Sequence, residues 1–504
     1  MATTAEWRWR PGQERVAHAI LDAMLTSTRV LIEAYPGIGK TRAALWACSA
    51  SDTDAIILVR TRNEASVYVS EARKMSLVVI PLLARYGFCP VFRHVPRSIF
   101  YDLCRRIRSS NICNYYNNTV WRLFRSETIE LVLDMASKCS SIEEIAERLV
   151  ENNRCPFTAS LMASKCAKFV VATYPYYLDE SIRETVFSEI ARERFTIFDE
   201  VHTLFTEYIS RFRFLDLGEA LATLRTAYRA LRKVAKRNPD QFEYVLNMVA
   251  RGIEAAKLLM DRDRRRKRRV SLYDAASEVE EALSEVLDAS ISFTHGGFLA
   301  VPAKLEVPET FAGMSAYIPK TLAKLGLSAR TVEVPPPQPL VKARIVSGVT
   351  TRYRDMDEEM ETRIGRELES ILRTCERPTL VVFPSKRVAE EIARRIELDL
   401  LRFAAWRGDP SLEDPIHVDV AGGRLAEGVN VPYRAIIVVG LPYPSPSPAM
   451  KAVISRLGFE AAEDVMKIRL LQALGRGTRA GARAWILDER AHNLELPSWI
   501  EVEE

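Results

Sequence analysis

The sequence has no long hydrophobic run and few cysteines. Its longest uncharged apolar stretch, residues 75–84, is shorter than the roughly 18 residues that a membrane-spanning helix needs. Trp7, Arg8 and Arg10 argue against a signal peptide at the amino terminus. Eight cysteines in 504 residues are too sparse for a small disulfide-stapled fold. We therefore expect a cytoplasmic chain whose thiols are reduced.

A strong net charge is also missing, so the total charge does not establish a nucleic-acid partner. There are 71 basic and 66 acidic residues, which leaves +5 at pH 7. The composition, 48% hydrophobic and 27% charged, excludes global disorder and a collagenous or coiled-coil rod. Because a single hydrophobic core stops growing near about 250 to 300 residues, a chain of 504 residues is expected to form several domains.

Apolar segments that have the character of strands fall into two groups. The first group contains RVLIEAYP (29–36), DAIILVRT (54–61), KFVVATYP (168–175) and RFTIFDEV (194–201). The second group contains PTLVVFPS (378–385), IHVDVAGG (416–423), AIIVVGLP (435–442) and RAWILDER (483–490). Continuous apolar runs that alternate with amphipathic helices are typical of parallel sheets covered on both faces. The pattern predicts an α/β fold with two such domains.

Three stretches fit neither sheet. One is rich in cysteine, one is helical, and both look like insertions into the first α/β domain. The third, the proline-rich segment VEVPPPQPLVKA (332–343), suits a semi-rigid connector between the two α/β domains. The predicted first domain comprises residues 1–85, 167–204 and 302–340, and the last of these ranges includes the linker. The predicted insertions are 86–166 and 205–301, and the predicted second domain is 341–504.

The segment EAYPGIGKT has the features of a phosphate-binding loop between a strand and a helix. Gly37 and Gly39 allow backbone N–H groups to close on phosphates. Lys40 can hold the β and γ phosphates and Thr41 can hold Mg²⁺, although Ala34 stands where the general pattern has glycine. The alternative is a chance match with a solvated lysine. The flanking strand and helix favour the nucleotide site.

Two adjacent carboxylates, Asp199 and Glu200, follow an apolar strand in the segment FDEVH. One of them can hold Mg²⁺ while the other orients or deprotonates a water molecule. The alternative is an exposed acidic turn beside an ordinary His202. The position at the end of an apolar strand favours a nucleotide site.

The segment QALGRGTR places Arg476 and Arg479 three residues apart, so that two guanidinium groups can converge on one anion. Alone, this pattern is more often a solvated basic end of a helix. Together with the phosphate loop and FDEVH, it favours arginines that stabilise charge on a transferring phosphate.

In their order along the chain, these motifs resemble those of superfamily 2 helicases. The set is EAYPGIGKT, LVRTRN, FDEVH, AEGVN (426–430) and QALGRGTR. More narrowly, the chain resembles the XPD-like DNA helicases, because a cysteine-rich segment precedes FDEVH and a helical segment follows it. Residues 155–180 are similar to that family's approach to its DExH strand. The resemblance covers nearly the whole chain.

This resemblance implies two RecA-like domains that close on ATP and Mg²⁺. In the first domain it implies a 4Fe–4S cluster domain and a helical Arch domain. The expected activity is that of an ATP-dependent helicase that moves 5′ to 3′ on single-stranded DNA and unwinds forked duplexes in DNA repair. The expected setting is a prokaryotic, archaeal-type, nucleoid-associated monomer that works with repair or transcription partners.

The resemblance also implies roles for individual residues. The positions that match the family's nucleotide site are Gly37, Gly39, Lys40, Thr41, Asp199, Glu200, Gln472, Arg476 and Arg479. On this basis Asp199 holds Mg²⁺, Glu200 orients water, and the last three residues complete the site from the second domain. Arg10 and Gln13 are expected to contact adenine.

Some positions depart from the family pattern. Tyr35 and Pro36 replace a proline and a threonine of the usual APTGTGKT, and DEVH replaces DEAH without loss of a carboxylate. Tyr317 stands where the coupling motif has threonine, and Asn430 where the family usually has aspartate. These two changes motivate a second hypothesis, a DNA-binding scaffold or damage-recognition subunit whose ATPase is weakly coupled.

Four cysteines are candidate metal ligands. Their spacings of 15, 9 and 42 residues match no compact motif, and the spacing alone allows zinc as readily as an iron–sulfur cluster. The resemblance favours 4Fe–4S. The predicted ligands are Cys89, Cys104, Cys113 and Cys155.

Two other cysteines lie near these candidates. Cys139 precedes what reads as the start of an amphipathic helix, whereas Cys155-Pro156 resembles the context of the family's last ligand. Cys139 is therefore the alternative fourth ligand. Cys166 is expected to be packed within a helix, because free cysteine is among the most buried residue types.

Two features bear on DNA binding. The run RDRRRKRR (262–269) can bind phosphates, but such blocks are more often mobile solvated loops. Single-strand binding usually combines spread arginines with aromatic stacking surfaces. Residues 85–93 supply that mixture, and so do Tyr174, Tyr176 and Tyr177, for which core packing is an equal alternative.

Overall fold

The computed structural model describes residues 8–503 except 93, 95, 96, 236–238, 288, 295, 303, 409, 410, 412 and 428–430. Two parallel sheets with helices on their faces dominate this part of the chain. The predicted α/β class, with two RecA-like domains, is confirmed. None of the described helices is both long and apolar enough to cross a membrane.

The first sheet has seven parallel strands. They are β1 (Arg29–Ala34), β2 (Ala55–Val59), β3 (Val79–Pro81), β4 (Phe169–Thr173), β5 (Phe195–Asp199), β9 (Phe311–Ser315) and β10 (Arg330–Val334). Their spatial order is β10-β1-β9-β5-β2-β4-β3. Strands β2, β5 and β9 are buried along their whole length, as continuous apolar runs require. Because all pairs are parallel, the carboxyl ends of β1, β5 and β9 lie at one edge.

Helices on both sides of this sheet complete the first domain. They are α1 (Gln13–Thr26), α2 (Lys40–Ala50), α3 (Arg62–Lys74), α10 (Pro175–Leu178), α11 (Glu180–Ile182), α12 (Ser188–Ala191) and α13 (His202–Ser210). A capping box starts α3: Thr61 Oγ1 accepts from the Glu64 N–H, and the Glu64 carboxylate accepts from the Thr61 N–H. This cap fixes the chain just after β2, beside the phosphate loop.

The cysteine-rich insertion is helical. It contains α4 (Arg85–Phe88), α5 (Arg97–Ser109), α6 (Asn114–Val120), α7 (Arg125–Lys138), α8 (Ile142–Glu151) and α9 (Pro156–Cys166). Val132 in α7, Ile145 in α8 and Ala159 in α9 are fully buried in the same hydrophobic core as the first sheet. The second half of this insertion therefore packs as part of the first domain.

The helical insertion has its own core and a small sheet that the sequence did not indicate. Its elements are β6 (Arg213–Asp216), α14 (Leu217–Ala235), α15 (Pro239–Met260), α16 (Arg262–Lys267), α17 (Leu272–Leu287), β7 (Ser290–Thr294) and β8 (Gly297–Val301). The antiparallel order is β6-β8-β7. Since β6 and β7 are largely exposed, they lack the apolar signal of the large sheets. The basic run is helical, because the Asp261 side chain accepts from the Arg264 N–H and caps α16.

The second domain is built on six parallel strands. They are β11 (Val341–Ile345), β12 (Thr379–Phe383), β13 (Ile416–Val420), β14 (Ala435–Val438), β15 (Arg483–Ile486) and β16 (Ile500–Glu503), in the order β13-β12-β14-β15-β11-β16. Its helices are α18 (Glu358–Thr374), α19 (Lys386–Ala393), α20 (Arg424–Glu427), α21 (Pro448–Leu457) and α22 (Glu460–Gly475). The proline-rich connector is shorter than predicted, residues 335–340, because its two ends belong to β10 and β11.

Short 3₁₀ helices and one π-helix fill some connections along the described chain. They are Arg122–Phe124, Arg183–Phe187, Lys320–Leu325, Leu400–Phe403 and Glu489–Asn493. The third of them follows β9 and faces α22, where the first and second domains meet.

Candidate nucleotide site and cysteine pocket

The predicted phosphate loop connects β1 to α2 at the carboxyl edge of the first sheet. Gly37 and Gly39 have φ angles of 85° and 93°, in the left-handed region that glycine adopts without strain. A Cβ atom on Gly39 would lie 2.4 Å from the Gln13 side chain, so the loop has no room for a larger residue there. Helix α2 begins at Lys40 and turns its free N–H groups toward the loop. This geometry favours a bound phosphate.

Arg10 and Gln13 brace the back of this loop. The Arg10 guanidinium donates to the Gly37 carbonyl at 2.6 Å, and the Gln13 amide donates to the Gly39 carbonyl at 2.9 Å. The Gln13 side-chain oxygen in turn accepts from the Arg10 N–H at 3.0 Å. Both residues thus hold the loop in shape, and their expected contact with adenine stays a prediction.

The carboxylates of FDEVH lie directly opposite the loop lysine. Lys40 Nζ is 3.3 Å from Glu200 Oε1. Asp199 is buried at the end of β5, where its oxygens accept from the Tyr68 hydroxyl at 2.9 Å and the Glu200 N–H at 3.1 Å. Burial, with the neighbouring Glu200 charge, raises the pKa of Asp199. Although burial opposes it, the Lys40 ammonium and His202 hold the pKa of Glu200 below its usual range.

The opposite pKa shifts of Asp199 and Glu200 give these two carboxylates different chemical roles. Glu200 is ionised and beside a cation, with a backbone φ of 51° that is uncommon outside glycine and asparagine. Asp199 is held by a buried tyrosine on one oxygen and a backbone N–H on the other. A divalent cation next to Asp199 would favour its ionised form, so the donor set fits Mg²⁺.

A chain of hydrogen bonds joins Glu200 to the second domain. Gln472 Nε2 lies 3.3 Å from His202 Nε2, and His202 Nδ1 lies 2.8 Å from Ser315 Oγ. The Ser315 hydroxyl donates to Glu200 Oε2 at 3.3 Å. We assign His202 as the neutral Nδ1–H tautomer, since Gln472 then donates to the free ring nitrogen and each following donor finds an acceptor.

The end of α22 brings the remaining predicted residues to the same cleft. Gln472 and Arg476 line one pocket together with Lys40 and Glu200. Arg479 lines the adjoining pocket with Lys40, Thr41, Asp199 and Glu200. The Arg476 Nε donates to the Ala426 carbonyl at 3.0 Å, which fixes this side chain against α20. All residues predicted for the catalytic site therefore meet between the two RecA-like domains.

Two further residues, His202 and Ser315, contribute to this site and were not predicted from the sequence. His202 was treated as an ordinary histidine, although in FDEVH it lies close behind the two carboxylates. Ser315 was not recognised as a partner of Glu200, because the two residues are 115 positions apart. Only the strand order, which places β9 next to β5, reveals that contact.

A second pocket is lined by the four cysteines predicted as ligands. Cys89, Cys104, Cys113 and Cys155 face it from the end of α4, from α5, and from the starts of α6 and α9. The Cys155 N–H donates to Thr119 Oγ1 at 2.8 Å, which ties the last cysteine to α6. Burial, with repulsion from the neighbouring thiols, raises the pKa of Cys89, Cys104 and Cys113.

The other two cysteines of this region lie elsewhere. Cys139 is fully buried at the end of α7, in the core of the first domain, and does not line the pocket. Cys166 is in a helix, as predicted, but the expectation that it is buried is wrong. It is the last residue of α9.

The pocket does not have the geometry of a single-ion site. Within the described residues, no group of three or more histidine, cysteine, aspartate or glutamate side chains is placed to hold one metal ion. The four thiols nevertheless surround one space.

The candidate DNA contacts differ in accessibility. Tyr174, Tyr176 and Tyr177 are buried and donate hydrogen bonds to backbone carbonyls, so they pack and are not available for stacking on bases. In contrast, the basic run at α16 is largely exposed. Its seven basic residues and one acidic residue carry +6, which leaves −1 for the rest of the chain.

Two residues singled out in the sequence lie outside the described residues. They are Arg93, in the candidate DNA-binding segment 85–93, and Asn430, where the family usually has aspartate.

Comparisons with known proteins agree with this architecture. The DEAD_2 family model matches residues 57–213. A curated relative, ATP-dependent DNA helicase XPD of Sulfolobus acidocaldarius, is 21% identical over 96% of both chains. The solved structure "XPD_Helicase" has a TM-score of 0.62 at 18% identity and covers 96% of each chain. "Structure of S. tokodaii Xpd4" has a TM-score of 0.58 at 15% identity and covers 98% of this chain and 99% of that one. At these identities the structural likeness shows the fold.

Proposed function

We propose, from the confirmed resemblance of this chain to the XPD-like superfamily 2 helicases, that it is an ATP-dependent DNA helicase. The observation that carries the proposal is the cleft between the RecA-like domains. There the phosphate loop, both FDEVH carboxylates and the end of α22 line two adjoining pockets. A nucleotide held in this cleft would contact both domains at once.

The side chains in the cleft divide the work of phosphoryl transfer. Lys40 and the N–H groups at the start of α2 bind phosphate oxygens, while Thr41 and Asp199 hold Mg²⁺, which neutralises the developing phosphate charge. Glu200 is ionised beside Lys40 and can orient a water molecule. Arg476 and Arg479 bring positive charge from the second domain.

The proposed substrate is single-stranded DNA that runs across both domains, with movement from 5′ to 3′ and strand separation at a fork. The relative from S. acidocaldarius is named as a DNA helicase, which supports DNA as the substrate class. The exposed charge of α16 suits contact with a phosphate backbone. Direction of movement and a role in DNA repair rest on the family resemblance.

We further propose that the cysteine pocket holds a 4Fe–4S cluster. Zinc needs four ligands within about 2.3 Å of one point, whereas cysteines that bind a cluster attach to different iron atoms and surround a larger body. The four cysteines line one space, which supports a shared metal group, and the family resemblance favours the cluster over zinc. Cys155 is preferred to Cys139 as the fourth ligand, because only Cys155 lines the pocket.

The direct test is the rate of ATP hydrolysis with Mg²⁺, with and without single-stranded DNA. A DNA-dependent motor should hydrolyse ATP at least about tenfold faster when DNA lets the domains close productively. Glu200→Gln should bind ATP and hydrolyse it very slowly under both conditions. Hydrolysis that is absent, or indifferent to DNA, would support the scaffold hypothesis instead.

A further inference from the structure

A buried carboxylate on α22 joins the two RecA-like domains outside the nucleotide site. Asp464 is 2% exposed, and in the described part of the chain its recorded side-chain hydrogen bonds all come from the first domain. Its oxygens accept from the Tyr317 hydroxyl, from the Lys320 N–H at 3.3 Å, and from the N–H of Thr321 at 2.9 Å and its hydroxyl. A buried charge satisfied only across a domain boundary strongly specifies how the domains fit.

The segment that binds Asp464 also reaches the nucleotide site. Tyr317 follows Ser315 by two residues at the end of β9, and the Ser315 hydroxyl donates to Glu200. Directly after Tyr317, the Ile318 N–H donates to the Glu33 carboxylate at 3.0 Å, which fixes this segment to β1 beside the phosphate loop. A shift at Glu200 is therefore passed to Tyr317 through a short, anchored stretch of backbone.

Helix α22 is held at a second point by the same network. Gln472 lies eight residues after Asp464, which is about 12 Å along a helix, and it contacts His202. His202 in turn contacts Ser315. The contacts form a closed ring that leaves the first domain at Tyr317, follows α22 from Asp464 to Gln472, and returns through His202 to Ser315.

We infer that the Tyr317–Asp464 hydrogen bond is a positioning contact that makes the placement of α22, and of the arginines at its end, depend on the nucleotide site. The Tyr317 hydroxyl ties the first of the two attachment points of α22 to the segment that follows Ser315. The other donors to Asp464 belong to the next helical turn, Lys320–Leu325. The effect of the Tyr317–Asp464 hydrogen bond on unwinding rests on the proposed helicase function. Coupling requires an element whose contacts differ between two nucleotide states, and we infer that this ring is that element.

The contact with Asp464 gives a function to Tyr317, which stands where the family has threonine. The threonine of the family pattern carries its hydroxyl one bond from Cβ, whereas the tyrosine hydroxyl lies at the far end of the ring. Only the longer side chain reaches Asp464 from this backbone position. Lys467, 6.0 Å from the centre of the Tyr317 ring, adds a favourable cation above its face.

The test compares Tyr317→Phe, Asp464→Asn and the double variant in the full chain. Tyr317→Phe removes one hydroxyl, and Tyr433→Phe is the matched control, because Tyr433 is a buried tyrosine that bonds His417 at 3.0 Å within the second domain. We expect each anchor variant to lower the base pairs unwound per ATP by about tenfold, with DNA affinity and DNA-free hydrolysis within about twofold of wild type. The double variant should be no worse than the more severe single variant, since both remove one interaction.

A second readout does not depend on activity. Hydrogen exchange at the Lys320 and Thr321 amides should be slow in the wild-type protein and faster in Asp464→Asn, but unchanged in Tyr433→Phe. If these amides exchange slowly in an Asp464-dependent way but the protein hydrolyses no ATP, the Asp464 contact is supported and the helicase proposal is rejected. An unchanged unwinding yield in the anchor variants of an active helicase would overturn the inference alone. Tyr317→Thr separates the two interpretations of this residue: a lower yield supports the anchor, and a higher yield overturns it.

Discussion

The nucleotide cleft and the cysteine pocket are assembled in different ways. In the cleft, charges are already paired without a ligand: Lys40 lies against Glu200, and Asp199 is held by Tyr68 and a backbone N–H. In the pocket, four cysteines line one space, and burial with repulsion from neighbouring thiols raises the pKa of Cys89, Cys104 and Cys113. The residues of the cleft hold its carboxylates in place by themselves, whereas the proposed cluster would hold the four deprotonated cysteines of the pocket together.

This difference predicts different consequences of mutation. Removal of a side chain from the cleft should abolish chemistry and leave the fold intact. Removal of a ligand from the pocket should release the cluster and loosen the helices around it. The following experiments run from the largest expected effect to the smallest; those on Lys40 and the cysteines test that contrast, and the last tests DNA binding by α16.

Lys40→Ala should lower DNA-stimulated ATP hydrolysis by about 10³-fold or more, because the lysine contributes positive charge where the transferring phosphate develops negative charge. The thermal unfolding midpoint should change little, since the loop is held by Arg10 and Gln13 and not by the lysine. Lys138→Ala, which removes an exposed lysine paired with Asp134, is the control. Near-wild-type turnover in Lys40→Ala would remove the assignment of the site.

Cys155→Ser should reduce the iron content from about four atoms per chain to nearly none, together with the visible absorption of the cluster. Exchange protection in residues 97–120 should fall, because Cys104 and Cys113 in this segment would lose the group that they share with Cys155. ATP should still bind in the cleft.

Cys139→Ser is the matched control for the ligand assignment. It should keep its iron and lose only about 1 to 2 kcal/mol of stability, since it places a hydroxyl at a fully buried position. Loss of iron in Cys139→Ser with retention in Cys155→Ser would show that the fourth ligand is wrong. Zinc in place of iron in the wild-type protein would reject the cluster.

Replacing Arg264, Arg265 and Arg266 with glutamine should weaken single-strand binding severalfold and reduce the slope of log K against log salt by about 2. Each arginine that leaves a phosphate contact reduces the number of counterions released. Arg373→Gln, which affects an exposed arginine paired with Glu369 in the second domain, should leave the slope unchanged. An unchanged slope in the triple variant would mean that α16 is a solvated surface.

Local motifs predicted the nucleotide site because its key groups are neighbours in sequence. Lys40 follows Gly39 directly where α2 begins, and Asp199 precedes Glu200 where β5 ends, so a short segment is enough to define each geometry. The eight segments predicted as strands also form strands, since buried parallel strands are continuous apolar runs.

The remaining features depend on tertiary contacts that no local pattern encodes. Asp464 reads as one more acidic residue on a helix, and its partner Tyr317 is 147 residues away. The ends of the proline-rich connector pair into β10 and β11 because neighbouring strands override their composition. The exposed strands of the helical insertion carry too little apolar signal to be recognised.

The most direct test of the proposed function is strand separation of a forked duplex by the purified protein. With Mg²⁺ and ATP, the protein should release the strand from a fork with a 5′ single-stranded tail, and Glu200→Gln should release none at equal DNA binding. Omission of the 5′ tail should abolish the reaction, while omission of the 3′ tail should not. Separation that needs no ATP hydrolysis, or none by the wild-type protein on any fork, would contradict the account.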